Sequence, residues 1–511
     1  MESLSLSIPV QHNYTDPTVE RDVVRLQDWL SNLPLMDVVE TVRLVLGALD
    51  ALNEQKLDHE ERFRFLEAYH ATAQRLFVTV DPLHLRQLAL TKSQRQDAID
   101  GVERLFLSLA GGYKLIVTGM YETVDATRPD QVFSFSVSRA LQQLSYALLD
   151  SYRFYRPAQS FLISESHQLY RLARHFGLLD VVVAETDDEA APAGSLATLY
   201  HASMLLSLTD PFRLAEGEVG LLFDVLTQHA SHCRIIPGSQ WTDSGEGLFL
   251  VDLYSDVMPT SCVLIKSRVD IRDTYLLDAR AALAAVRDSL SSIPAKVRMQ
   301  SPEAMVLRRL LPEEGPQDKR REQRHSDGRW VNLLLGLESI HNYLLQDSGK
   351  KHGEQHDDTP PAGLSPSRVL DSSSNGMKLT WESGGAGDAR VGDLLGVVEE
   401  QDQKQLLRLT MIRSIKVYRE GSLEAGVQLL HGGLGAVYCC LPDKPDKGAD
   451  RALFMPAVEE EQVTATLITP KGIYAEGCHL IIDVAGREIK ARAGRLVLDT
   501  PIFDRFEFSA E

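Results

Sequence analysis

Five cysteines in 511 residues, none of them in a CxxC pair, leave no thiol cluster for a structural zinc and no framework of disulfides. Cys233, Cys262, Cys439, Cys440 and Cys478 read as free thiols of a reducing compartment, so a cytoplasmic location is expected. No stretch of about twenty apolar residues occurs, which leaves no expected membrane span. The opening MESLSLSIPVQHNYTDP has neither the basic nor the apolar region of a secretory leader. Phosphate loops of the GxxxxGK[ST] type and nucleophile elbows are missing. His59 and His70 in HEERFRFLEAYH do not stand four apart as the histidines of a zinc helix do. The chain is therefore not expected to be an enzyme, and no metal or cofactor is expected. Positive charge is also in deficit. Lys and Arg number 53 against 72 Asp and Glu, and the net charge of −19 argues against a general DNA or membrane-surface binder, since both partners are polyanions.

What is present divides along the chain. At 511 residues one core does not suffice, and several domains are expected. Residues 1–232 carry helix after helix at a period of 3.6. The first has Val19, Val23, Leu26, Leu30 and Leu33 on one stripe, with Thr18 as its cap. Further helices are expected over 94–110, 133–154, 160–177, 193–208 and 216–231, as a bundle or array without a fixed repeat. Residues 233–317 form a mixed α/β connector. There GLFLVDLYSDV has strand character and TYLLDARAALAAVRDSLSSI reads as a helix. After Pro312 short strands take over, joined by Gly, Asp and Asn turns. Strands over 330–337, 368–371, 376–381, 391–400, 405–419 and 423–430 predict a small antiparallel β-barrel spanning 318–440. The polar, Pro/Gly-rich stretch 345–367 reads as a disordered loop within it. Residues 441–511 read as a β-rich C-terminal extension.

Two polar clusters bracket the first barrel strand. Upstream stands DKRREQRHSDGRW, with Lys319, Arg320, Arg321, Arg324 and Arg329. Downstream stands RVLDSSSNGMKLTW, whose DSSSNG is richer in polar groups than a hairpin turn requires. Each alone has an ordinary reading, the first as a solvated basic linker and the second as an Asx-type turn. Together, Arg-x-x-x-Arg (Arg320, Arg324) followed by Asp-x-Ser-x-x-Gly (Asp371, Ser373, Gly376) within a barrel resembles the PilZ family of cyclic di-GMP receptors, over roughly residues 318–440. The gap between the motifs is longer than that family's by about the length of 345–367, an insertion that costs little closure entropy. No helix is expected after Leu430, and the strands of 451–511 are expected to cover that barrel end.

The resemblance implies a PilZ-like barrel with Arg320, Arg321, Arg324, Asp371, Ser373 and Gly376 at the ligand. The chemistry agrees. Guanidinium forks grip phosphates or the O6/N7 edge of guanine in pairs. A carboxylate suits the guanine N–H donors, a serine hydroxyl suits a phosphate or an exocyclic group, and glycine lets backbone approach closely or take a positive φ. Arg413 on TMIRSIKVY is a further arginine within range of a bound guanine, or simply a surface charge. The implied role is a bacterial effector that binds cyclic di-GMP and signals to a protein partner of a pilus or flagellar machine, in motility, type IV pilus function or biofilm formation. The alternative is a ligand-independent scaffold or adaptor built on a degenerate module of the same kind.

Overall fold

The computed structural model describes residues 4–13, 16–17, 19–182, 194–241, 245–265, 274–311, 325–350, 364–382, 389–401, 404–442, 449–457 and 464–511. They gather into two compact units, Met1–Pro211 with Glu216–Gln317, and Phe212–Ala215 with Asp318–Glu511.

The first unit is helical where the sequence has a 3.6 period. Its helices start where a short polar side chain can accept the orphan amides of a first turn. Asp37, Asp58, Asp81 and Asp130 cap Val38–Asn53, His59–Thr79, Pro82–Gln87 and Gln131–Arg153. Thr91 and Gln94 close a reciprocal capping box on Lys92–Met120. The first helix is shorter than its apolar stripe suggests. It spans Val23–Ser31 and is capped by Asp22, which accepts from the amides of Val24 and Arg25. Val19 precedes it, and Thr18 lies outside the described residues. Ser160–His175, Leu196–Leu208 and Glu218–His229 follow as expected.

Lys92–Met120 and Gln131–Arg153 are buried along much of their length, so their polar residues need partners inside the bundle. Lys114 Nζ meets Glu165 Oε2 at 2.7 Å. Arg139 forks onto Glu67 through Nε at 3.0 Å and Nη2 at 2.8 Å.

The connector is an antiparallel sheet ordered β1 (Arg234–Pro237), β4 (Tyr275–Asp278), β2 (Leu248–Val251), β3 (Thr260–Ser261). TYLLDARAAL, read from sequence as helix throughout, splits. Tyr275–Asp278 pairs between β1 and β2, and the helix Arg280–Ser292 begins only after it. The apolar pair Leu276-Leu277 fits either state, and sheet pairing decides.

The second unit holds two barrels, in keeping with the expected order of a helical region, a barrel and a β-rich C-terminal part. The first is built from β5 (His325–Ser326), β6 (Trp330–Leu335), β7 (Ser365–Ser373), β8 (Gly376–Glu382), β9 (Leu394–Gln401), β10 (Lys404–Val417) and β11 (Ser422–Leu429). The ring runs β7-β6-β9-β10-β11-β8 and closes by β8 pairing back onto β7, while β5 continues β6 along the same edge of β7.

Two expectations are corrected here. The strand read over 330–337 ends at Leu335, where Gly336 takes φ +82° and turns the chain into a helix, Gly336–Lys350. The disordered loop read over 345–367 is thus helical up to Lys350 and β-strand from Ser365, and 351–363 lies outside the described residues.

That helix buries Ile340 and Tyr343 in a core shared with Leu394, Val398 and Met411 of the first barrel and with Leu453, Met455, Ile468 and Phe503 further on. His341 Nε2 reaches the carbonyl of Val437 at 3.0 Å. The later residues form the second barrel, ordered β12 (Gly435–Cys440), β13 (Asp450–Met455), β14 (Thr466–Pro470), β17 (Phe503–Ala510), β16 (Arg487–Asp499), β15 (His479–Val484) and closed by β15 on β12. Gly435–Cys440, assigned from sequence to the first barrel, therefore pairs into the second. Among the described residues no helix is long and apolar enough to cross a membrane.

Candidate ligand-binding site

The DSSSNG stretch is a hairpin corner. Asp371, Ser372 and Ser373 end β7, Ser374 and Asn375 form the two-residue turn, and Gly376 opens β8 opposite Ser373. Its polar excess belongs to the strand rather than the turn. A β-bulge just before it decides which way these side chains face. Val369 pairs with Leu379, both fully buried, but the next pair is Asp371 with Lys378, so Leu370 is the extra residue. Without the bulge Leu370 would stand opposite Lys378 and Asp371 opposite the buried Met377. With it, Asp371 joins Lys378 on the outer face of the barrel. Period-two alternation then brings Ser373 to the same face.

Gly376 does not need a left-handed backbone; it is required by proximity. A β-carbon there would stand 2.6 Å from the carbonyl oxygen of Val427 on β11. Gln428, its partner in register, accepts from Arg413 Nε at 2.7 Å. Arg413 is the residue at which the pairing of β10 with β11 slips, and it is exposed. On the turn, Asn375 Oδ1 lies 3.0 Å from His431 Nε2.

On the other side of β7 the chain arrives from the arginine-rich segment. His325 pairs with Ser372 and Ser326 with Asp371. The link from β5 to β6 is Asp327-Gly328-Arg329, organised by the Asp327 carboxylate. Oδ1 accepts from the amides of Gly328 at 2.8 Å and Arg329 at 3.1 Å. Oδ2 accepts from Ser372 Oγ at 3.0 Å and faces Arg329 Nη1 at 3.0 Å. Burial works against this carboxylate, yet those amides, the hydroxyl and the guanidinium together hold its pKa below the usual value. Arg329 and Arg408 share Glu399, each at 3.2 Å.

Of the expected ligand residues, Asp371, Ser373 and Gly376 stand together at this corner. Arg320, Arg321 and Arg324 lie outside the described residues. Ser373 Oγ has one distant contact, to the Gly376 carbonyl at 3.4 Å, while Ser372 is the serine engaged with Asp327.

Sequence reasoning passed over the Asp327 cradle, whose signal was the Asp-Gly dipeptide after the arginine run. It also passed over Arg368 and Trp330, paired with one another across β7 and β6 and both exposed. Their signal was an exposed position within an alternating strand, legible only once the register is known. Among the described residues no group of His, Cys, Asp and Glu could hold a metal ion.

Comparison with known proteins gives matches on both flanks of this barrel. The family described as "Cyclic-di-GMP receptor FimW, N-terminal domain" matches residues 24–239. The family described as "FimW C-terminal beta-barrel domain" matches residues 442–510, which contain β13 to β17. A protein of Pseudomonas aeruginosa named "Cyclic-di-GMP receptor FimW" is 23% identical over 584 aligned residues, covering 100% of this chain and 94% of that protein. The chain is thus similar to that one receptor from end to end.

Proposed function

We propose that this chain is a cyclic di-GMP receptor that binds the dinucleotide on the outer face of its first barrel and hands the signal to a protein partner. The observation that carries this reading is the pairing of His325 and Ser326 with Ser372 and Asp371. Arg324 is the next residue back along the chain and Arg320 lies four further. An extended chain advances at most about 3.6 Å per residue, so connectivity tethers the arginine segment to the Asp-x-Ser-x-x-Gly corner. The similarity to a named cyclic di-GMP receptor over the whole chain supports the same ligand.

In this reading Arg320, Arg321 and Arg324 close over the ring, with guanidinium forks on its phosphates and guanine edges. Asp371 accepts from the guanine N–H donors, Ser373 offers its hydroxyl, and the bare backbone at Gly376 leaves β8 close to β11. The protein performs no chemistry on the ligand. Binding shifts a population by contacts that exist only when the arginine segment is closed. The resemblance to PilZ proteins suggests an output in pilus or flagellar motility or biofilm formation, carried by the helical unit.

Titration calorimetry of the full chain with cyclic di-GMP and with GMP tests the proposal. Cyclic di-GMP is expected to bind, GMP is not, and Arg324→Ala and Asp371→Ala are each expected to weaken binding at least tenfold, the loss of a charge-assisted contact. Silence up to about 100 μM cyclic di-GMP, a range in which modest affinity is visible, would leave the ligand-independent scaffold as the reading.

A further inference from the structure

The outer face of the first barrel carries a large aromatic that the fold does not use. Trp330 is 71% exposed, whereas Trp29, Trp241 and Trp381 are 37%, 8% and 4% exposed. It stands at the head of β6, four residues after Ser326, with the strand's alternation turning Val331 and Leu333 inward. A tryptophan left in water on a sheet is commonly covered by its cross-strand neighbour. Here that neighbour is Arg368, and its guanidinium reaches the link between β5 and β6. Arg368 Nη2 lies 3.6 Å from where a β-carbon on Gly328 would stand, over the link between β5 and β6. Arg329 and Arg408 are both held by carboxylates, but among the described residues none lies within ion-pair distance of Arg368.

Three chemistries therefore follow one another across this face. The indole of Trp330 comes first, the guanidinium of Arg368 stands beside it on the neighbouring strand, and the carboxylate of Asp371 lies one outward position further along β7, past the bulge at Leu370. Directly opposed residues of an antiparallel pair stand about 5 Å apart and diagonal ones about 7–8 Å, somewhat more across a bulge. A dinucleotide presents the matching series: a base plane, the phosphate that joins two nucleosides, and the hydrogen-bonding edge of a second base. Aromatic rings take bases by their faces, and a guanidinium without a carboxylate partner suits a phosphate better than one already neutralised.

We propose that Trp330 is the stacking platform for one base of the bound cyclic dinucleotide, with Arg368 on the adjoining phosphate. This rests on the cyclic di-GMP reading above and adds to it a specificity-determining pair outside both sequence motifs. It also explains why one tryptophan faces water beside the corner while two others are packed away.

The test compares wild type, Trp330→Ala, Trp330→Phe and Arg368→Gln, each full length, by calorimetry with cyclic di-GMP and by tryptophan fluorescence. Trp330→Ala is expected to lose roughly 5- to 150-fold in affinity, the range for removing a stacked base. Trp330→Phe, which keeps a ring, is expected within a few fold of wild type. Ligand is expected to quench wild-type emission and to leave Trp330→Phe unquenched. Because the side chain is exposed, melting temperatures without ligand are expected to match wild type, so a loss of binding is not a loss of fold. If wild type binds and Trp330→Ala binds as tightly, or the quench persists in Trp330→Phe, Trp330 is no platform, although the receptor reading stands. If wild type does not bind, both fall.

Discussion

Asp150 is the clearest case in which a single residue's surroundings set a measurable property. It sits 1% exposed on the helix Gln131–Arg153, and among the described residues neither carboxylate oxygen has a hydrogen-bond partner. Its nearest cation, Arg153 at 3.6 Å, is committed elsewhere, to Asp81 at 2.9 Å and to the carbonyls of Phe77 and Val80. Arg156 is taken by Asp100 and Glu103. Burial therefore dominates and pushes the Asp150 carboxyl up to about 7. A carboxyl whose folded pKa lies above its unfolded one stabilises the fold fully below about pH 4, and that contribution is lost as pH rises through about 7. Asp150→Asn cannot ionise and escapes the loss. Its stability relative to wild type is expected to climb between pH 4 and 7 with the slope of one bound proton, to level off above, and to reach a few kcal/mol. Urea denaturation of both proteins at pH 4.5, 6 and 8 reads this directly, and a difference that does not change with pH would mean that Asp150 is ionised throughout.

At the scale of elements, the helix Gly336–Lys350 shows what the sequence made legible and what it did not. The barrel strands were readable because alternation and turn residues are local signals, as were the long helices by their period, though their aspartate caps were not read. The helix was not. Its apolar face is Leu337, Ile340, Tyr343 and Leu344, barely two turns, and it follows a continuous apolar strand that absorbs its first residues. The order of its motifs marks the corner DSSSNG as a candidate site, but the bulge at Leu370 that turns Asp371 outward was not legible, because a bulge is a property of pairing and not of composition. The same holds for Trp330 and Arg368. Ile340 gives the helix a testable role. It is fully buried among residues of both barrels, so Ile340→Ala is expected to cost about 2–5 kcal/mol, the range for emptying such a site. Hydrogen exchange is expected to quicken together in β9 and β14. Faster exchange in β9 alone would show that the helix serves the first barrel only.

For the whole molecule the question is how a chain of net charge −19 would recruit the anionic ligand proposed for it. Two fields would then compete, the diffuse negative charge of the entire chain and the arginines proposed to meet the ligand. Screening separates them. At 0.1 M salt the screening length is about 10 Å, so charges distributed over 511 residues act weakly at the site while contacts within a few ångströms act in full. At 1 M salt the length falls to about 3 Å and the local attraction weakens as well. If Arg320, Arg321, Arg324 and Arg368 govern binding, affinity for cyclic di-GMP is expected to fall by on the order of tenfold between 0.1 and 1 M salt. The part supplied by stacking on Trp330 should survive, because burial of an aromatic face does not depend on ionic attraction. Trp330→Ala should accordingly show the salt dependence of wild type at lower affinity, and Arg368→Gln a shallower one. Calorimetry at the two salt concentrations distinguishes the fields, because repulsion from the whole chain would make binding tighter as salt is added. Such a result would remove the arginine cluster as the source of affinity.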